Sequence, residues 1–331
     1  MRRGFGVAAM PENPIHHPHD KLFKVGFSLP ENAAAFLREE LPAPVAQAVD
    51  WSRLRLEPGS FIDSHLRLST SDLLFSAPLG DGNCLVYILF EHQTREDSML
   101  ALRLLRYMVR IWETWQRSQP AGARLPTILP VVLAHDSKPW KLSREFASLF
   151  EVPVGHESDM APFVPDFCFQ LIELATRRFE GIPGTPTGVV ILRTMKAERS
   201  GDWFAELVWD EALMIQLPDD ILDLVFRYMF RADIDKERFR SRVNSILAVE
   251  LKTKAMTLAD QLLAEGLEKG IEKGIEKGLR KGIQTALEVR FGDVPEDLSL
   301  AIKEIYEVVR LERLLRVAID AASLDDFRLR I

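Results

Sequence analysis

The stretch LVYILFEHQT, residues 85–94, joins six apolar positions directly to polar ones. A short apolar run that is rich in β-branched and aromatic residues predicts a β-strand. Side chains alternate along a strand, so Glu91 and Gln93 share one face at its polar end while His92 points to the other. Glu91 and Gln93 are therefore the first candidates for a functional site.

A hairpin brings a second carboxylate toward this strand end. Residues 72–75 read DLLF, and the turn sequence GDGN at 80–83 connects that run to the strand, which predicts two antiparallel strands. A twisted antiparallel pair can place Asp72 beside Glu91. Two converging carboxylates with few compensating cations form a hard oxygen site suited to Mg²⁺ or Mn²⁺, and such an ion can activate water for attack on a phosphoryl group. A lone carboxylate at a strand end is more often merely solvated. The apolar strand ending in EHQT, directly before an arginine-rich helix, is what favours a site here.

The elements around the hairpin predict a mixed α/β core. In chain order they are a helix, three strands, a helix and a strand, within 20–40, 61–68, 72–75, 85–90, 95–117 and 127–134. We assign this αβββαβ pattern to residues 19–145, after a polar tail at 1–18, and expect an α/β fold with a mixed sheet.

The helix at 95–117 is apolar nearly all round, except for a narrow strip formed by Arg103, Arg106, Arg110 and Arg117. Such a strip beside the carboxylates could line DNA phosphates, which dominate the affinity of DNA-binding proteins. The simpler alternative is that the arginines solvate the only exposed side of a buried helix. We favour a DNA contact for Arg103, which with Tyr107 lies nearest to the strand end, and solvation for Arg117.

Beyond residue 145 the chain is mostly helical. We expect helices at 169–176, 202–214, 221–231 and 237–263, in an extension that covers 146–264. The segment GVVILR at 188–193 fits either a strand or part of a helix. Two helices near 298–309 and 311–322 predict a small helical domain over 286–331.

Residues 266–282, GLEKGIEKGIEKGLRKG, form an internal repeat with glycine at every fourth position. The segment is too charged for a membrane helix, in spite of its spacing of small residues. Its glycines cost about 4 kcal/mol in helix propensity relative to alanine, so a partner packed on the glycine column would supply stability that the sequence lacks. We expect a helix over 265–285 and a homo-oligomer formed through 266–283, with a flexible helical spacer as the equal alternative.

The composition excludes several classes of protein. Hydrophobic residues make up 47% and charged residues 27%, which rules out global disorder. No apolar run approaches the ~20 residues that a membrane helix needs, and the N-terminus has no signal-peptide core, so we expect no membrane association and a cytoplasmic location. The net charge of −7 argues against a protein that coats nucleic acid through bulk electrostatics. Cys84 and Cys168 are the only cysteines, which excludes a disulfide scaffold and a cysteine-based zinc site.

Several motifs together resemble the bacterial recombination-promoting nuclease family, whose members are also described as YhgA-like transposases. They are HDKLFK at 19–24, FID at 61–63, SDLL at 71–74, EHQT at 91–94, RLLRYM at 103–108, LPVVL at 129–133, MTLA at 256–259 and RFG at 290–292. The combination of EHQ with RLLRYM is the most specific, and the resemblance covers most of the chain.

The resemblance implies a PD-(D/E)XK nuclease fold, in which a mixed sheet flanked by helices cuts DNA with a divalent metal in the bacterial cytoplasm. It makes Asp72 and Glu91 metal ligands and puts Gln93 at the position of the motif's lysine. Glutamine is common there in the family but departs from the wider superfamily. Because an uncharged amide can only position other groups by hydrogen bonding, more of the activation falls to the metal.

Three further groups are weaker candidates. Asp20 could complete the metal site, as an acidic residue on the first helix often does in this fold class, although we favour a helix N-cap. Asp63 fits a ligand or a surface turn equally well. His16, His17 and His19 invite a metal interpretation, but histidines in a flexible tail are more often exposed, and no fourth ligand is evident nearby.

These patterns lead to two functional expectations. The first is a Mg²⁺- or Mn²⁺-dependent DNA endonuclease that promotes recombination or the movement of mobile elements. The alternative is a catalytically weak or inactive, DNA-associated oligomeric scaffold of the same fold. The presence of both Asp72 and Glu91 favours the enzyme.

Overall fold

The computed structural model describes residues 18–58, 72–80, 84–231 and 234–331, and a five-stranded sheet lies in the first part of the chain. Its strands are β1 (Arg55–Leu56), β2 (Leu73–Leu79), β3 (Cys84–Gln93), β4 (Thr127–Ala134) and β5 (Gln170–Glu173), in that order across the sheet. β1, β2 and β3 are antiparallel, whereas β3, β4 and β5 are parallel. The expected mixed α/β class is confirmed, and the arrangement is consistent with a nuclease-like α/β fold.

Helices precede, interrupt and follow the strands along the chain. In chain order the α-helices are α1 (Pro18–Phe27), α2 (Pro30–Glu40), α3 (Ala43–Ala48), α4 (Leu100–Arg117), α5 (Glu157–Met160), α6 (Pro186–Ser200), α7 (Glu211–Met214), α8 (Asp219–Arg231), α9 (Lys236–Asn244), α10 (Val249–Phe291), α11 (Glu296–Lys303), α12 (Val308–Asp320) and α13 (Leu324–Arg328). Among these described helices, none combines the length and the apolar character required to cross a membrane.

The β2–β3 hairpin forms as its turn sequence predicts. Its register pairs Leu73 with Phe90 at the open end and Leu79 with Cys84 at the turn. Gly80 enters the turn with φ of 63°, a left-handed conformation that glycine adopts without a steric penalty. Residues 81–83 and the predicted strand at 61–68 lie outside the described residues.

One face of the sheet is covered by α4. The buried side of this helix packs with Tyr87 and Leu89 of β3 and with Val132 of β4. Because residues two positions apart in a strand share a face, Glu91 continues the row formed by Tyr87 and Leu89 and lies toward α4.

The other face is covered by helices from distant parts of the sequence. There α1 packs against α2, α6 and α8. The ring of Phe23 lies 5.0 Å from that of Phe90 and 5.2 Å from that of His92, measured between centroids, so His92 points to this side. Helices α1 and α6 approach so closely at Gly26 that a Cβ there would lie 2.2 Å from Cδ1 of Ile191.

The helix predicted at 169–176 is wrong, because this segment forms β5 and a following 3₁₀ turn, Leu174–Thr176. The strand is only four residues long and pairs in parallel with β4, from Val131–Gln170 to Ala134–Glu173. Its conformation is therefore decided by a neighbour far away in the sequence.

Two other predicted helices are divided in the structure, and the segment that the sequence left undecided is helical. The helix predicted at 202–214 is divided into a 3₁₀ turn, Glu206–Trp209, and α7, because the Asp210 side chain accepts a hydrogen bond from the Leu213 amide and starts a new helix. The helix predicted at 237–263 is likewise divided, between α9 and α10. GVVILR at 188–193 is helical and belongs to α6.

The chain divides into two compact units, with the division between Met256 and Thr257. In the second unit α10 continues through the whole glycine repeat, and α11, α12 and α13 follow it. Its core contains Ile283, Leu287, Leu298, Ile302, Leu311, Leu314 and Phe327. Leu267, Ile271 and Ile275 of the repeat are exposed, whereas Ile283 in the same column is fully buried. The apolar column of the repeat thus runs from solvent into this core.

Candidate functional site

The site is built at the open end of the β2–β3 hairpin, where the apolar strand turns polar. Asp72 directly precedes β2, and extending the Leu73–Phe90 pairing by one residue sets Asp72 opposite Glu91. Both side chains are largely shielded from solvent: Glu91 has 0% and Asp72 8% of its surface exposed. The hairpin register therefore brings the two predicted metal ligands together in the interior.

Hydrogen bonds hold one oxygen of Glu91. Its Oε1 accepts from Nε2 of Gln93 at 2.7 Å, and from Nε and Nη2 of Arg103 at 3.1 and 2.7 Å. Gln93 lies two residues along the strand and Arg103 in the first turns of α4, so strand alternation and helix packing aim both at the same atom. Gln93 thus acts on Glu91 itself, as expected of an amide that can only donate and accept hydrogen bonds.

The remaining carboxylate oxygens have no such partners. Within the described part of the chain, Oδ1 and Oδ2 of Asp72 and Oε2 of Glu91 are buried and accept no hydrogen bond of ordinary geometry. Buried acceptors are almost always paired, so three orphaned oxygens at one place require an explanation. A divalent cation with oxygen ligands is the chemical group that fits this donor set.

The electrostatics of the pair agree with this view. Burial, with the nearby Glu91 charge as the second cause, raises the pKa of Asp72 well above its ordinary value. Burial also raises the pKa of Glu91, although Arg103 acts in the opposite direction. Without a further cation, the protein therefore disfavours two negative charges at this position.

Arg103 is held from two sides. Besides its contact with Glu91, its Nη1 donates to Oδ2 of Asp97. Asp97 was not anticipated as part of the site. It lies just before α4 and accepts a hydrogen bond from the amide of Met99 at 2.9 Å, a position typical of an aspartate ahead of a helix. That local pattern could have revealed it.

The other members of the arginine strip and Tyr107 differ in environment. Arg106 is exposed, Arg110 is half-buried and pairs with Glu113 at 2.8 Å, and Arg117 is exposed at the end of α4. Tyr107 is buried, and burial together with the Asp72 charge raises the pKa of its hydroxyl. A direct contact between Tyr107 and DNA would therefore require this side chain to leave its place beside Asp72.

Asp20 occupies a different place from the one favoured by sequence. It lies inside the first turn of α1, so the N-cap interpretation is wrong, and its Oδ1 lies 3.0 Å from Nδ1 of His92. It is also near enough to Asp72 to contribute to that residue's raised pKa. Asp63 and the histidines at 16 and 17 lie outside the described residues.

His19 is not the exposed tail residue that we expected. It is half-buried in α1, its Nδ1 lies 2.6 Å from the hydroxyl of Tyr228, and its ring packs against that of His135. Tyr228 is 209 residues away in the sequence, so no local pattern could have revealed the contact.

Comparisons with known proteins identify the family. The model of the family described as "Putative transposase, YhgA-like" matches residues 17–217. The recombination-promoting nuclease RpnD of Escherichia coli O157:H7 is 37% identical over 130 residues, which cover 38% of this chain and 49% of that protein. The recombination-promoting nuclease RpnA of Escherichia coli K12 is 39% identical over 119 residues, covering 36% and 40%.

A relative that carries a different description is equally similar. The inactive recombination-promoting nuclease-like protein RpnE of Escherichia coli K12 is 36% identical over 146 residues, which cover 44% of this chain and 48% of that protein. The chain thus spans about half the length, or less, of these curated relatives. No solved structure matches it. Because the family model covers more than half of the sequence, the chain belongs to the YhgA-like transposase family, among relatives named as recombination-promoting nucleases.

Proposed function

We propose that the protein is a DNA endonuclease that depends on Mg²⁺ or Mn²⁺, works in the bacterial cytoplasm and promotes recombination or mobile-element movement. The observation that carries the proposal is the set of three buried, orphaned oxygens on Asp72 and Glu91. The names of the relatives RpnA and RpnD support a nuclease.

Asp72 and Glu91 would hold the cation. When bound, it would supply Lewis-acid chemistry, polarising a phosphoryl oxygen and lowering the pKa of water for in-line attack. Gln93 keeps Glu91 oriented through its 2.7 Å hydrogen bond to Oε1, which leaves Oε2 for the ion. Desolvation of both carboxylates strengthens any charge interaction made in this interior position.

Arg103 would stabilise the phosphate charge that develops at the cut site. Its side chain is 29% exposed, so the guanidinium connects the buried carboxylates to the surface. Arg106 and Arg110 lie farther along α4 and line a surface groove together with Leu105, Val109 and Glu113. This groove offers a path for the DNA backbone, since phosphate contacts position a duplex without reading its sequence.

An inactive scaffold is the second candidate, and a specific contact favours it. Arg103 already donates two hydrogen bonds to Glu91 and thereby provides a cation of the protein's own in the place where a metal would neutralise charge. The name of the relative RpnE, which describes it as inactive, supports this candidate. In this scaffold, DNA binding through α4 and oligomerisation through the repeat would remain without cleavage.

Cleavage of supercoiled plasmid separates the two candidates. Purified protein is incubated with Mg²⁺, Mn²⁺ or EDTA, beside the isosteric variants Asp72→Asn and Glu91→Gln and the control Asp202→Asn, which changes an exposed carboxylate. We expect metal-dependent nicking by the wild type and the control, and a loss of at least about 100-fold in both site variants. DNA binding without cleavage under any metal would support the scaffold. Cleavage that survives both site substitutions would refute the assigned site.

A further inference from the structure

A second cluster of ligating side chains lies on the α1 side of the sheet, away from the α4 side on which Glu91 lies. His19 of α1, His135 directly after β4 and Glu198 of α6 each offer one ligand atom, and these atoms lie within 4.8 Å of one another. We propose that His19, His135 and Glu198 form a second metal site, which takes Zn²⁺ or an ion of similar softness and is separate from the oxygen site at Asp72 and Glu91.

The ligand chemistry distinguishes the two sites. Two imidazole nitrogens and one carboxylate oxygen are a typical set for Zn²⁺, and also suit Co²⁺ and Ni²⁺, whereas Mg²⁺ prefers oxygen alone. Three protein ligands leave one tetrahedral position for water. The sites therefore need not compete for the same ion.

Two of the three proposed ligands, His135 and Glu198, have buried ligand atoms. His135 is fully buried, and burial lowers the pKa of its imidazole well below the ordinary value, which favours the neutral form that binds metals. Within the described residues, Oε2 of Glu198 is buried and has no hydrogen bond of ordinary geometry, although Nε of Arg199 lies 3.0 Å away and Nε2 of His135 lies 3.6 Å away. Arg199 is thus the cation that a bound ion would displace from this oxygen.

A network of close polar contacts continues behind His135. Nδ1 of His92 lies 3.0 Å from the Asp20 carboxylate, Nε2 of His92 lies 3.3 Å from Nδ1 of His135, and Nε2 of His135 lies 2.7 Å from the carbonyl of Met195. With Asp20 ionised, both ends of the network are oxygens that accept, and the three contacts call for three N–H donors. Two neutral imidazoles supply only two.

An ion on Nε2 of His135 is compatible with an ionised Asp20 and two neutral imidazoles. It replaces the hydrogen bond to Met195, so His135 donates through Nδ1 to His92, and His92 donates through its own Nδ1 to Asp20. Two donors then serve two contacts. A ligating histidine typically donates its other N–H to such an outer partner, which fixes the ring and its tautomer. The ring of His19 is oriented in the same way, by the Tyr228 hydroxyl 2.6 Å from its Nδ1.

Binding of Co²⁺ and Zn²⁺ to the full chain tests the site without reference to nuclease activity. The protein is stripped with chelator and titrated with Co²⁺, whose visible absorption reports tetrahedral coordination, and Zn²⁺ is then added in competition. We expect one Co²⁺ per chain with this absorption, displaced by Zn²⁺. Glu198→Gln and His19→Gln should each weaken the affinity by about tenfold or more, and Asp20→Asn by a smaller factor.

Matched controls make the result decisive. His156→Gln changes an exposed histidine, Asp72→Asn changes the oxygen site, and His16→Ala with His17→Ala removes two histidines that precede His19 in the sequence; all should keep the tetrahedral Co²⁺ absorption of the wild type. Circular dichroism of each variant confirms its fold. The proposal is overturned if the wild type shows no such absorption, if Glu198→Gln and His19→Gln leave it unchanged, or if the variant lacking His16 and His17 loses it.

Discussion

The guanidinium of Arg103 lies on the buried carboxylate of Glu91, with Nη2 2.7 Å from Oε1. Glu91 is fully shielded from water, and Arg103 joins it to Asp97 at the start of α4. The strand end and the helix are thus connected through one cation, which stabilises the carboxylate and at the same time lies where a phosphate would approach.

Arg103→Ala should destabilise the protein by roughly 2–4 kcal/mol at neutral pH, because it leaves the buried Glu91 charge without its cation. Urea unfolding followed by circular dichroism measures this loss. Arg106→Ala removes an exposed arginine from the same helix and should change the free energy of unfolding by less than about 0.5 kcal/mol. Equal effects of the two substitutions would contradict a stabilising role of the Arg103–Glu91 pair.

Asp72→Asn should stabilise the metal-free protein by about 1–3 kcal/mol at pH 7, since it removes a buried carboxylate whose oxygens accept no hydrogen bond of ordinary geometry. The pKa of Asp72 is raised in the folded state, so the folded protein binds this proton more tightly than the unfolded chain. The contribution of Asp72 to wild-type stability therefore falls as the pH rises from the ordinary carboxyl pKa, ~3.9, through the raised value.

The raised pKa of Asp72 also determines the pH at which the stability difference between Asp72→Asn and the wild type disappears. Below the ordinary carboxyl pKa, Asp72 is protonated in both states, and the variant should lose its advantage. Unfolding curves in EDTA across this range test the sign. The exposed Asp202→Asn serves as the matched control, and an advantage of Asp72→Asn that grows at low pH would contradict the prediction.

Mg²⁺ or Mn²⁺ should raise the melting temperature of the wild type. An ion present at 100 times its Kd adds about 2.7 kcal/mol to the free energy of unfolding when it binds only the folded state. Differential scanning fluorimetry with and without EDTA gives the shift. It should vanish in Asp72→Asn and Glu91→Gln and persist in His19→Gln. A shift retained in both site variants would place the ion elsewhere.

The glycine repeat allows the spacer and oligomer interpretations to be separated. At Gly270 and Gly274 a Cβ would meet nothing within 4 Å. Gly270→Ala with Gly274→Ala should therefore stabilise the helix of the single chain, by about 1 kcal/mol for each substitution. If another copy packs on the glycine column, the added methyl groups should also shift the mass in light scattering toward the monomer.

A control substitution in the same repeat tests whether the change of mass is specific to the glycine column. Lys273→Ala alters a charged position of the same repeat without touching the column and should leave the assembly unchanged. A mass that is the same in the wild type, the double variant and the control would support a spacer.

The hairpin was predictable because its signals are local. The turn sequence, the apolar strand and the two-residue period together predict that Glu91 and Gln93 share a face and that Asp72 lies beside them. The short parallel strand β5 was not predictable, because its conformation depends on pairing with β4.

The surroundings of the polar side chains were predictable only where the contact is local. Asp97 lies six residues before Arg103, and a search for helix-start aspartates would have found it. His19 meets Tyr228 and His135 only after α1, α8 and the end of β4 come together, and Asp20 binds a histidine 72 residues away instead of capping its own helix.

The end of β3 also limits which deletions this sequence can tolerate. Consecutive side chains there point to opposite faces of the sheet. Glu91 contacts Arg103 on one face, whereas His92 contacts Asp20 and His135 on the other. A deletion of one residue between 84 and 90 would shift the pairing register of the strand by one position. The side chains beyond the deletion would then point to the opposite face of the sheet. An imidazole would then lie against the arginine and a carboxylate against the second histidine. The length of this strand, and not only its composition, is therefore under constraint, and loss of a single codon within it should disrupt both sites at once.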